Sequence, residues 1–215
     1  MILPALCLLL GFPSACGEQV AGGVISSKEW KVRRAPQKEE EFIGAVRYRS
    51  AASLLRADWA LYKHESHDWQ AKGNVNIEHK LTSGDTLRGR GDEAFYNDKN
   101  RAGSMLARRL VEFSRTPPSG DPDYGRAKSA RWNDDHVIVS EQVHLWGPRL
   151  KLWSSRADYD RRNSELTLSG GRPVLQKLEG SWTGAVKADK ITAWDKSKKM
   201  AADGKTHGWI RFKRR

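Results

Sequence analysis

Five aromatic residues recur along this chain in one local setting, and that recurrence limits the fold more than any other feature. They are Tyr62, Tyr96, Trp132, Tyr159 and Trp194, each close behind an alanine: Ala60-Leu61-Tyr62-Lys63, Ala94-Phe95-Tyr96-Asn97, Ala130-Arg131-Trp132-Asn133, Ala157-Asp158-Tyr159-Asp160 and Ala193-Trp194-Asp195. Successive members are 34, 36, 27 and 35 residues apart. A self-similar period of this size means that one supersecondary unit is reused along the chain.

The unit reads as strand, turn, strand. Leu55, Ala57, Trp59 and Leu61 alternate with Arg56 and Asp58, the period-two pattern of a half-buried strand. A polar turn with His64, Ser66 and Asp68 follows, then Gly73. Beyond it Val75 and Ile77 face one way, and Asn74, Asn76, Glu78 and Lys80 the other. The alternation returns at Val137, Val139, Val143 and Leu145, at Leu150 and Leu152, at Leu166 and Leu168, and at Ile210 and Phe212. No stretch carries apolar residues at helical spacing through three turns. The expectation is an all-β chain of repeated antiparallel hairpins.

Charge and the first residues bound the setting. The chain has 215 residues, with 38 Lys and Arg against 26 Asp and Glu, a formal net charge of +12. Such a surplus favours an anionic partner: nucleic acid, anionic lipid or a phosphorylated glycolipid. Residues 1–15 are uncharged and mostly apolar. That run is too short for a bilayer span of about 20 residues and fits the core of a signal peptide. It ends in Pro13-Ser14-Ala15-Cys16, which is similar to a lipoprotein signal whose cysteine is acylated. Cys7 falls inside the signal, so the mature chain would have no thiol left for a disulfide. Residues 16–40 are rich in charge and lack periodicity, and are expected to be a tether before a domain at 41–215.

The stretch Leu55 to Ile77, with its small-x-small step, aromatic, turn and Gly73-Asn74-Val75-Asn76-Ile77, resembles the repeated unit of the OstA-like lipopolysaccharide-transport proteins. The pattern returns at Val186 to Asp195, followed by Asp203-Gly204 and a last strand, Gly208 to Phe212. One anchor before one such domain looks more like the LptC branch of that family than the LptA branch. The resemblance implies a twisted, incompletely closed β-jellyroll with an apolar groove for lipid A acyl chains. It implies a periplasmic protein, held by an N-terminal lipid with the inner membrane favoured, that takes lipopolysaccharide onward from an inner-membrane ABC transporter of the LptB, LptF and LptG kind. An LptA-like jellyroll would be the next partner.

On that basis Trp59, Val75, Ile77, Val139, Val143, Leu145, Leu152, Leu166 and Leu168 are the groove candidates, and Cys16 is the lipidation candidate. Mid-sized side chains of this kind are also consistent with a closed sandwich core. Trp132 and Trp194 are expected to pin strand register. Glu141 interrupts an apolar face and is expected at a bulge or at the groove mouth. His64 and His67 lie in a polar turn without a clear third metal ligand, and are expected to be solvated. No nucleophile elbow, nucleotide loop or Cys-x-x-Cys is present, so neither an enzyme nor a cofactor is expected. Arg108 and Arg109, Arg149 and Lys151, Arg161 and Arg162, Lys196 to Lys199 and Lys213 to Arg215 are dispersed rather than blocked together. Open sheet edges are expected near Phe42 to Arg49 and near Trp209 to Arg215. The competing expectation is an exported basic β-domain that binds acidic polysaccharide or nucleic acid on its outer face, without a transport role. The transport assignment expects no nucleic acid.

Overall fold

The structure is a computed structural model that describes residues 23–81, 83–194, 197 and 199–212. The signal segment, Cys7 and Cys16 lie outside the described residues. Sixteen strands form one antiparallel sheet: β1 (Val24–Ser26), β2 (Glu29–Arg33), β3 (Glu39–Arg49), β4 (Ser53–Lys63), β5 (Asp68–Lys80), β6 (Thr86–Asn97), β7 (Ala102–Thr116), β8 (Asp123–Trp132), β9 (His136–Trp146), β10 (Leu150–Asp160), β11 (Glu165–Ser169), β12 (Val174–Glu179), β13 (Trp182–Lys187), β14 (Lys190–Trp194), β15 (Lys199–Asp203) and β16 (His207–Phe212). The all-β expectation is met.

The eight strands from β3 to β10 run as a meander, each paired with the next. Beyond them the sheet forks. β2 and β1 pair with opposite halves of β3, and β11 and β12 with opposite halves of β10. β14 and β15 then extend one half, and β13 and β16 the other. Among the described residues the sheet does not close on itself: β2 pairs only β3, and β16 pairs only β13.

A line of bulges crosses the middle of the long strands. The register shifts between Ile43 and Val46, between Lys72 and Val75, between Leu106 and Val111, and between Ser154 and Arg156. Paired left-handed residues mark it: Gly44 and Ala45, Gly73 and Asn74, Glu141 and Gln142. An extra residue on one strand bends it and increases its twist. Repeated in register, the bulges divide the sheet into two walls. Wall A carries the Tyr62 end of each strand and wall B the Leu55 end.

The inner faces of these walls are one core. On wall A a cross-strand row runs from Phe42 through Ala60 and Ala71 to Ala94 and Met105. It goes on through Ala130, Val139, Ala157 and Leu168 to Ile191. On wall B the matching row is Leu55, Ile77, Gly89, Phe113 and Gly125, then Leu145, Leu152 and Leu175. Most members of both rows belong to one hydrophobic cluster or pack against it. A single sheet can bury one face only if something covers it, and among the described residues there is no helix. The walls therefore cover each other. Alanines line the bend, at Ala57, Ala60, Ala127 and Ala130, all at most 5% exposed. Each larger side chain inside, such as Leu166 or Ile191, contributes roughly 1.5–3 kcal/mol by burial.

Two boundaries differ from the sequence expectation. The stretch read as tether includes β1 and β2, both paired to β3, so the sheet begins by Val24. The edge expected at Phe42 to Arg49 is covered by these same strands. The N-terminal edge is β1 and β2, which the charge-rich sequence concealed. The C-terminal edge is β16, where it was expected.

Candidate functional site

The repeat that organises the sequence becomes a geometric object in the interior. Tyr62, Tyr96, Trp132 and Tyr159 occupy one register row, joined through Trp69, Gly103 and Val137. Each lies two residues from the alanine at the bend and on the same inner face. Trp132 rests on Gly103, where any Cβ would run into its ring. That cross-strand contact fixes the pairing of β7 with β8, as expected of Trp132. Trp194 does not join the row. Its inner position is taken by Ala193, and its indole N–H donates to Glu165 at 2.7 Å on the outside.

Eight of the nine groove candidates share the inner face. Val75, Val139, Val143, Leu145, Leu152, Leu166 and Leu168 are at most 3% exposed, and Ile77 packs against them from the rim of the core. Trp59 is the correction. The bulge between Arg56 and Trp59 shifts the alternation, so Ala57 and Ala60 face inward while Trp59 turns out. There its indole donates to Glu41 at 2.7 Å, and the Lys72 ammonium sits 5.8 Å from the ring centroid. Glu141 does stand at a bulge, exposed and with φ of 62°. Glu40 accepts a 2.7 Å hydrogen bond from His64 Nε2, and the His64 ring lies edge-on to Tyr62.

The interior is packed in this state. Between the walls a void of about 30 Å³, the size of one water, is lined by Ile77, His79 and Phe113 of wall B and by Met105, Ala130 and Trp132 of wall A. The long rim of wall B is polar although buried. His79 Nδ1 meets Ser53 Oγ at 2.6 Å, and burial lowers the pKa of the imidazole. The Arg115 guanidinium lies 3.2 Å from Asp85 and 3.9 Å from Asp123. Burial pushes the Asp123 carboxyl above its ordinary range, and Arg115 pulls it partly back. Sequence reading missed this network because its members come from separate hairpins.

The two ends of the interior are unlike its middle. At the N-terminal end Trp30, Phe42, Trp69 and Tyr62 form a run of stacked rings, with 6.5 Å between Trp30 and Phe42 and 4.4 Å between Tyr62 and Trp69. Trp30 pairs with buried Phe42 and so faces inward, yet is 64% exposed. At the C-terminal end Ile210 and Phe212 pair with the inward Gly184 and Trp182, and are 65% and 71% exposed. Met200, opposite buried Ala193, is 45% exposed. The apolar inner face thus runs out to solvent at both ends.

No protein-family model and no curated protein sequence matches the chain. Among solved structures it is similar to LptH, the LptA homologous periplasmic component of the lipopolysaccharide transport device of Pseudomonas aeruginosa. That match has a TM-score of 0.47 and 14% identity, over 55% of this chain and 82% of the other.

Proposed function

We propose that this protein is a passive segment of a lipopolysaccharide path, holding lipid A acyl chains between its walls as they cross the periplasm. One observation carries the proposal: an apolar inner face that crosses every long strand and ends, at both open edges, in inward-facing side chains left in water. A domain needing only its own core would bury Phe212 and Trp30. A domain that continues its interior into a like-folded neighbour leaves them for that neighbour to cover, with unpaired edge strands to extend the sheet. The OstA-like pattern in the sequence points the same way.

Burial is worth ~0.8 kcal/mol per methylene, so one chain of a dozen carbons gains on the order of 9 kcal/mol. Several such chains do not leave through water, and hand-over from one interior to the next is the physical solution. The packed walls must part to admit them, and the alanine-lined bend is where they hinge. In this proposal the protein follows the LptC branch: Cys16 carries the lipid anchor, the inner membrane holds it, an ABC transporter delivers the glycolipid, and an LptA-like jellyroll receives it. The test is photo-crosslinking in cells. A photoreactive residue at position 77 or 143 captures lipopolysaccharide, whereas one at outward position 59 does not. Capture at 59 alone, or at none, refutes the path.

A further inference from the structure

The outer surfaces of the two walls differ in a way that the transport proposal does not use. On wall A part of the outward charge is paired, Lys63 with Glu39 and Arg156 with Asp158 at 3.0 Å, while the exposed Lys72, Arg131 and Lys190 lie apart on β5, β8 and β14. On wall B, Arg47, Arg56, Arg90 and Arg126 stand in one cross-strand register row, all exposed and, among the described residues, none in an ion pair or side-chain hydrogen bond. Asn76 and Glu112 complete the row between them. Arg47 and Arg56 are direct cross-strand partners, a like-charge placement that costs stability. With strands about 4.8 Å apart, the row from β3 to β8 spans about 24 Å.

The row continues into aromatic side chains. Arg126 pairs with His144, and His144 with Trp153. The His144 ring is stacked between Trp153 at 5.0 Å and Trp146 at 4.6 Å, and Tyr124 extends the stack at 5.7 Å. Its outer members remain open, Tyr124 at 41% and Trp153 at 37% exposure. Neither ring nitrogen of His144 has a hydrogen-bond partner among the described residues.

We propose that this outer face of wall B docks on an anionic bilayer surface, the arginines meeting phosphate headgroups and Trp153 and Tyr124 seating at the headgroup boundary. Arginine fits phosphate oxygens with two donors at once, and tryptophan and tyrosine favour the boundary between apolar and wet surroundings. The face is the outside of a sheet folded around its own interior, so it is convex. A linear polyanion is held best in a groove that tracks its backbone, whereas a bilayer needs only an unobstructed face. Docking would lay the sheet along the membrane and aim both open edges parallel to it.

The experiment measures partition of the full chain onto vesicles of phosphatidylcholine alone and of phosphatidylcholine with 30% phosphatidylglycerol. The ratio between the two cancels any contribution of an N-terminal anchor. A basic residue near such a surface is worth about fivefold, so Arg47→Glu, Arg56→Glu and Arg90→Glu together lower the ratio by at least about a hundredfold. The charge-matched triple variant on wall A, Lys72→Glu, Arg131→Glu and Lys190→Glu, leaves it within a few fold. Trp153→Ala lowers anionic partition severalfold. Circular dichroism verifies that each variant is folded. Equal losses from both triple variants would reduce the effect to net charge and overturn the proposal. So would an unchanged ratio, or loss of oligonucleotide binding with vesicle binding intact.

Discussion

The Asp58 carboxylate fills the space where a Cβ on Gly73 would have to stand, and it accepts a 2.7 Å hydrogen bond from the side chain of Asn74. The same device recurs at the other end of the chain, where Asp189 crowds Gly204 and accepts from the Lys205 backbone N–H at 3.2 Å. In both, the aspartate precedes the glycine by fifteen residues. The bend between the walls is thus written into the chain as an aspartate and, fifteen residues on, a left-handed glycine.

Gly73→Ala therefore suffers twice, from φ of +74° and from displacement of Asp58. A left-handed alanine alone costs about 1–2 kcal/mol, so a loss of about 2–3 kcal/mol is expected. Gly180→Ala, with nothing within 4 Å and no left-handed φ, should change stability by less than about 0.5 kcal/mol. Chemical denaturation of both variants checks the contrast. Equal stability of the two would show that the bulge line is not what shapes the sheet.

Buried His79 and half-buried His144 give a pH dependence whose sign is fixed. Burial lowers the pKa of His79, and burial with Arg126 and Lys151 lowers that of His144. Both stay neutral in the fold where the unfolded chain binds protons, near pH 6.5 and below. The unfolded state then holds more protons, so stability is fully present above about pH 6.5 and falls as the pH drops toward the folded values. Melting temperatures measured from pH 7.5 to 5 should decline, and His144→Phe should flatten the decline. A slope unchanged by His144→Phe would assign the effect elsewhere.

The C-terminal edge should be separable from the fold. All six residues of β16 are exposed, so deleting 208–215 removes little burial. The remaining sheet should stay folded by circular dichroism, while binding to an LptA-like jellyroll partner is lost in a pull-down. Binding that survives the deletion would move the junction to the edge made by Glu29–Arg33.

Sequence periodicity showed the strands and the inner residues because each wall keeps strict alternation. It failed where a bulge intervened: Trp59 continues the odd-numbered apolar run in sequence but sits past the shift at Ala57 and Asp58, and so turns half-buried to the outer face. The arginine row was illegible for a related reason. Arg47, Arg56, Arg90 and Arg126 lie on four strands and become neighbours only through register, which no local window contains. The strands at Val24–Ser26 and Glu29–Arg33 were hidden because an edge strand with exposed side chains carries little apolar pattern. The alanines before each repeat aromatic were visible, but their role at the bend follows only from the two walls meeting there.

Val143 and Ile210 face the same interior from opposite situations, one 2% and the other 65% exposed. Val143→Glu places a carboxylate among packed side chains and should cost several kcal/mol in the lipid-free protein, enough to threaten a marginal fold. Ile210→Glu leaves its carboxylate in water and should change stability by less than about 0.5 kcal/mol. If the inner face is a path that continues through the open end, Ile210→Glu nevertheless blocks it, and a folded protein should lose lipopolysaccharide transfer to its partner. If the inner face is only a core, Ile210→Glu should leave transfer as it was. Denaturation curves with a reconstituted transfer assay therefore separate the two. The result that would sink the transport proposal is a stable Ile210→Glu protein with full transfer.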